Sequence, residues 1–259
     1  MGAVLGALTA IMGAASAADC TREGLLATAN SYVSAQLAGS LDGLKLTSDF
    51  KYQENNKAAD IKKSILVQPL KIDLNRSTAD TVACASYTMF ISTTGTKPYV
   101  VSTQLRHTGN DTSSIALVDS IIATTGSLFF NAQKTLGYIK AQNWGTIEPS
   151  KRASRETLKK YGDGYLDMWT DAKAAGSLQW GSDCERVEGS QFTKPCGVSL
   201  PKGGSSKNNG NRRYVIDETI GSVDILCSFD SLGNYADSHE TRVEDGKVKY
   251  VHTVTINMG

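Results

Sequence analysis

Apolar and polar positions alternate most clearly near the end of the chain. Between Arg212 and Ile256, three runs rich in β-branched and aromatic residues (214–225, 239–243 and 248–256) are separated by turn-forming residues. Successive strand side chains face opposite ways, so Tyr250, His252 and Val254 fall on one face and Val251, Thr253 and Thr255 on the other. The last two runs are joined through Asp245-Gly246, a pair suited to the left-handed backbone of a tight hairpin. The pattern predicts an antiparallel meander. A helical period marks two other stretches. Residues 21–38 carry Leu25, Ala29, Tyr32 and Val33 on one stripe, with Thr21 placed to cap and Gly39 to terminate. Residues 154–171 do the same with Leu158, Tyr161, Tyr165 and Trp169. Strands are expected over 50–56, 65–74, 81–93, 97–106 and 115–124. A partly helical connection is expected over 136–144, and a mobile polar loop over 202–211.

The first half carries a fainter copy of the second. Ser102-Thr103-Gln104-Leu105-Arg106, a turn and 115–122 parallel Ser238-His239-Glu240-Thr241-Arg242, a turn and 247–256. Residues 48–54 likewise parallel 182–188, and the offsets cluster at 134–136. A period this long indicates a duplicated domain rather than a solenoid. The predicted class is α+β. Two tandem cup-shaped domains, 19–146 and 147–259, would each lay a long helix against a curved antiparallel sheet around a cavity.

The 259 residues carry 27 basic and 26 acidic side chains without a basic stripe, which disfavours nucleic-acid binding. Residues 1–18 are mostly small and apolar and carry Ala15-Ser16-Ala17 just before their end, the pattern of a secretory signal peptide. Once this leader is removed, no membrane association is expected. Cysteine usage agrees with export: Cys184–Cys196 would close a short loop and Cys20–Cys84 would tie the mature terminus to the first sheet, leaving Cys227 as a buried thiol. Asn75 and Asn110 begin sequons and are candidate glycosylation sites.

The candidate chemistry is acid/base. His252, His239 and Glu218 lie on predicted neighbouring strands of the second half, where an imidazole beside a carboxylate can move a proton near neutral pH. Tyr52, Glu54 and Asn56 would share one strand face in the first half. With Gln104 and Asp119, and with Tyr214 and Tyr250 from the second half, they form a candidate substrate-binding set. An ordinary solvated strand face is the competing reading. Arg106 and Arg242 hold equivalent positions and suggest structural ion pairs with Glu54 or Glu188. The histidines lack metal-ligand spacing, and no phosphate loop or nucleophile elbow is present, so neither metal nor cofactor is expected.

Several strings resemble an uncharacterised family of small secreted fungal proteins: Cys20-Thr21-Arg22-Glu23, Tyr52-Gln53-Glu54-Asn55-Asn56-Lys57, Gln68-Pro69-Leu70-Lys71-Ile72-Asp73, Asn211-Arg212-Arg213-Tyr214 and Asp237-Ser238-His239-Glu240. The helix-and-sheet pattern is similar to the nuclear-transport-factor-2-like (NTF2-like, SnoaL-like) fold. That resemblance implies binding of a small hydrophobic metabolite by a monomer or homodimer, with cofactor-independent cyclase, isomerase or dehydratase chemistry, including pericyclic reactions, in fungal secondary metabolism. The alternative is a non-catalytic extracellular binding or effector-like protein.

Overall fold

A computed structural model describes residues 20–109 and 111–257. The expected leader and Asn110 lie outside the described residues. The first half comprises α1 (Arg22–Ala38), β1 (Leu46–Glu54), β2 (Lys57–Ala58), β3 (Leu74–Asp80), β4 (Ala85–Ser92), β5 (Tyr99–Arg106) and β6 (Ile115–Ala123). A short helix, α2 (Ala132–Ile139), leads into the second half. That half comprises α3 (Arg155–Asp167), β7 (Trp180–Glu188), β8 (Gln191–Thr193), β9 (Gly210–Asp217), β10 (Ser222–Phe229), β11 (Tyr235–Glu244) and β12 (Lys247–Ile256).

The two sheets have the same plan. Their orders are β2-β1-β6-β5-β4-β3 and β8-β7-β12-β11-β10-β9. In each, the first strand runs parallel to the last (β1 with β6, β7 with β12), and the other neighbours are antiparallel. This mixed α+β architecture, with two six-stranded sheets, is consistent with two tandem domains.

Local chemistry explains the boundaries. Thr21 caps α1 by accepting from the Gly24 amide, and Gly39 ends it with a left-handed backbone. Asp245 and Gly246 both have positive φ and form the β11–β12 turn. The strand expected over 65–74 does not form. Pro69 cannot donate to a ladder, and the Gln36 amide takes the carbonyls of Ile65 and Gln68 at 2.8 and 2.9 Å. A 3-10 turn over Ile65–Val67 stands there instead, and β3 begins at Leu74. The polar loop is tethered: Gly203 and Ser205 amides donate to the carbonyls of Met168 and Trp169.

The long helices α1 and α3 each cover one face of their own sheet. Tyr32 of α1 packs with Tyr52, Phe90, Leu105 and Val118, while Leu158 and Tyr165 of α3 pack with Val223, Ile225 and Cys227. Side chains therefore fill the space between helix and sheet. Glycines in α3 permit the close approach: a Cβ at Gly162 would stand 2.8 Å from Ile225, and one at Gly164 2.8 Å from Leu178.

The remaining faces of the two sheets meet at a seam. Its apolar part joins Met89, Ile91 and Ile121 of the first half to Val215, Leu226 and Val254 of the second. Its polar part is reciprocal. Asp80, at the end of β3, accepts from the Arg155 guanidinium at 2.6 and 2.8 Å and from the Ile216 amide at 2.9 Å. Asp217, at the end of β9, accepts from Arg22 at 2.8 Å and from the Ala79 amide at 3.0 Å. Both aspartates are buried, and each is neutralised by the first residue of the other half's long helix.

Cys20–Cys84 and Cys184–Cys196 are disulfide-bonded, and Cys227 is free and buried. No described helix is long and apolar enough to cross a membrane.

Removing a buried carboxylate strands both its arginine and its amide partner. Asp80→Ala and Asp217→Ala are each expected to lower stability by about 2–4 kcal/mol. Urea unfolding with the disulfides intact measures this, and a loss below about 1 kcal/mol would show that the crossing contacts do not hold the halves together.

Candidate functional site

Strand alternation divides the chemistry of the second sheet between its faces. Glu240 and Arg242 of β11, with Tyr250 and His252 of β12, face the seam. Asp237 and His239 of β11, with Thr253 and Thr255 of β12, face α3. Glu240 and His252 are directly paired across β11 and β12.

Arg76 of β3 reaches over the seam and holds the Glu240 carboxylate with two bonds of 2.6 and 2.5 Å. Ser222 adds a third donor at 3.0 Å. Trp144, from the connection after α2, lies against the Arg76 guanidinium, whose central carbon is 3.4 Å from the ring centroid. The Trp144 centroid is 5.4 Å from both the His252 and Tyr250 rings. Arg76, Trp144 and His252 wall a groove of about 330 Å³ whose apolar surface is Leu74, Met89 and Ile139.

Gln142 sets the state of His252. Its Oε1 accepts from Trp144 Nε1 at 3.3 Å, and its amide nitrogen donates to Glu185 at 3.0 Å. That orientation makes His252 Nε2 the donor in its 2.8 Å bond to Oε1. His252 Nδ1 stands 3.6 Å from Glu240 and has no hydrogen-bond partner among the described residues. Burial lowers the His252 pKa below its ordinary 6.5, against the pull of Glu240. Burial also works to raise the Glu240 pKa, but the charge and hydrogen bonds of Arg76 outweigh it and bring the carboxyl down to about 2.

The other end of the seam holds the equivalent row of the first half. Cross-strand register equates Tyr87, Gln104 and Asp119 with Asp224, Glu240 and His252. Arg213 occupies the place of Arg76 and binds Asp119 at 2.6 Å. Gln104 donates to the Arg213 carbonyl at 2.8 Å and to Asp224 at 2.7 Å. Asn56 accepts from Arg213 and donates to the Cys227 carbonyl, at 2.7 and 2.8 Å. Burial pushes the Asp224 carboxyl well above the usual range. This end is a closed hydrogen-bond network.

The sequence-predicted residues are distributed accordingly. His252 lines the groove and Tyr250 stands beside Trp144. His239 is on the opposite face of the same sheet, among Tyr165, Trp169 and Phe229. Glu218 sits exposed in the β9–β10 turn and accepts from the Arg155 amide at 2.9 Å, so it joins neither histidine. Asn56, Gln104 and Asp119 come together. Tyr52 and Glu54, bonded to each other at 2.8 Å, do not join them. β1 ends at Glu54, and positive φ at Asn55 and Asn56 breaks the alternation, which turns Asn56 to the seam. Tyr214 binds Asp163 at 2.7 Å on the α3 side. Arg106 bonds to Gln104 and the Tyr214 carbonyl, and Arg242 to Glu244 and the Gly145 carbonyl, so neither meets Glu54 or Glu188. Asn75 is exposed on β3 at the groove. Arg76 was not anticipated; the available signal was its 137-residue offset from Arg213.

Residues 151–255 match a family described as a domain of unknown function (DUF8021), 105 of the 259 residues. The match falls on the second half, from just before α3 to within one residue of the end of β12. No curated protein matches the chain.

The two shifts in the groove have one sign. Each folded pKa lies below its ordinary value, so each contribution to stability is present above that value and is lost as the pH falls toward the folded one. Stability is expected to decline first below 6.5 as His252 is protonated, then from 4.5 toward about 2 as Glu240 is protonated. Urea midpoints across this range check it: relative to wild type, His252→Asn should flatten the first decline and Glu240→Gln the second.

Proposed function

We propose that the chain is a secreted protein that binds a small, largely apolar metabolite bearing a carbonyl, enol or carboxylate oxygen in the seam groove. The observation that carries this reading is the meeting of an apolar surface with an arginine, a neutral histidine and a half-buried tryptophan in one groove. Its volume of about 330 Å³ lies at the small end of ligand clefts. Trp144 offers a stacking surface, and Lys140 and Arg76 supply positive charge toward an oxygen. The apolar leader and the two disulfides support export. The shared strand order, with a parallel first and last strand under one helix, supports reading each half as an NTF2-like unit.

Within that reading, His252 is the group for proton transfer. Its Nε2 carries a proton beside the groove, and Glu240 stands behind Nδ1 to stabilise a positive ring. Isomerisation, cyclisation or dehydration of an enolisable substrate needs no more than this together with a shaped pocket. A non-catalytic binding role is the second reading. It is favoured by a specific observation: Arg76 and Glu240 already neutralise each other, and Gln142 already occupies Nε2.

Native mass spectrometry of the secreted protein, followed by small-molecule extraction, identifies the bound metabolite. With that compound, Trp144→Ala is expected to weaken binding about tenfold or more. Unchanged affinity would remove the groove as the site. His252→Asn is expected to cost about 10²–10⁴ in turnover while leaving binding in place. Unchanged turnover would leave shape alone as the source of any catalysis.

A further inference from the structure

The α3-facing side of the second sheet carries a cluster that the groove does not use. Cys227 and Asp237 are directly paired across β10 and β11, and His239 lies two residues beyond Asp237 on the same face. Cys227 Sγ, one Asp237 oxygen and one His239 nitrogen all lie within 4.8 Å of one another, and all three residues are buried. Sequence spacing hides this set, because its members come from two strands and include only one histidine.

Two of its atoms face each other without a hydrogen bond. Asp237 Oδ2 and His239 Nδ1 are 2.9 Å apart, yet neither has a hydrogen-bond partner among the described residues. Buried polar atoms are ordinarily satisfied, so two convergent exceptions beside a free thiol point to a missing third party. Two ligands at about 2.0–2.2 Å from one ion can stand at this separation. The surroundings support such a role. Thr255 donates to the other Asp237 oxygen at 2.9 Å and so aims Oδ2 at the cluster. The rings of Tyr165, Trp169 and Phe229 enclose His239, with centroids 5.2, 6.2 and 5.3 Å away, and restrict water.

We propose that Cys227, Asp237 and His239 bind a borderline-soft divalent cation of the zinc class. A thiolate, an imidazole and a carboxylate suit such an ion better than magnesium or calcium, which favour sets of oxygens. Binding releases the Cys227 thiol proton to solvent, and His239 coordinates through its unprotonated Nδ1. Three protein ligands leave the ion's remaining coordination open. Enclosure behind α3 means that the ion enters as the half folds.

The test uses the full secreted chain, stripped with a chelator and reloaded both in the folded state and during refolding. Wild type is expected to take up about one Zn²⁺ per chain by elemental analysis. Its Tm should rise with Zn²⁺ concentration but not with Mg²⁺. Co²⁺ should give a thiolate-to-metal charge-transfer band that Cys227→Ser abolishes, with Asp237→Asn and His239→Ala lowering uptake. Should the variants fail to fold, the wild-type titration decides alone. Substoichiometric uptake under both loading conditions, or a Co²⁺ band that survives in folded Cys227→Ser, overturns the proposal.

Discussion

The fold rests on buried carboxylates that belong to one half and are neutralised by the other. Asp80, Asp119, Asp217 and Glu240 are almost wholly withdrawn from solvent, and their arginine partners Arg155, Arg213, Arg22 and Arg76 all cross the seam. A carboxylate in that position is tolerable only with a cation and hydrogen bonds in place. Neither half satisfies this alone. The apolar residues between the sheets gain from contact in any register, but the four charge pairs accept only one.

The same constraint shapes the chemistry. Glu240 is ionised because Arg76 reaches it from the opposite sheet, and His252 is held beside that carboxylate by strand register. The connection between the halves then lays Gln142 and Trp144 over the row, which turns part of an interface into a groove. On the reverse of the same strands, shielded by α3, His239 meets Asp237 and Cys227 instead. One sheet therefore presents two unlike environments through nothing more than alternation.

Much of the fold was legible because it depends on local rules. Thr21 and Gly39 bracket α1, Asp245-Gly246 makes the last hairpin, and both disulfides join the expected cysteines. The repeat was legible from the recurrence of a few strings. Failures came where long-range contacts overrode local pattern. Local pattern reads residues 65–74 as a strand, but Gln36, from α1, takes the carbonyls of Ile65 and Gln68. Asn56 left the face of Tyr52 and Glu54 because two left-handed residues end the strand. His239 and His252 were expected together from adjacent strands. A 13-residue separation with a bulge between Arg242 and Val243 puts them on opposite faces. Arg76 had no local signal, since its role depends on a carboxylate 164 residues away.

Joining two like halves in one polypeptide has a consequence that a pair of identical subunits could not share. In a symmetric dimer, every residue placed at one end of the interface is also placed at the other. Here the equivalent rows have separated: glutamine and aspartate at one end, glutamate and histidine at the other. The Arg213 end has become a sealed clasp, while the Arg76 end keeps an opening. Two like halves within one chain thus permit a division of labour. One end can specialise for holding the halves together, and its counterpart is released from that task to vary toward whatever the groove receives.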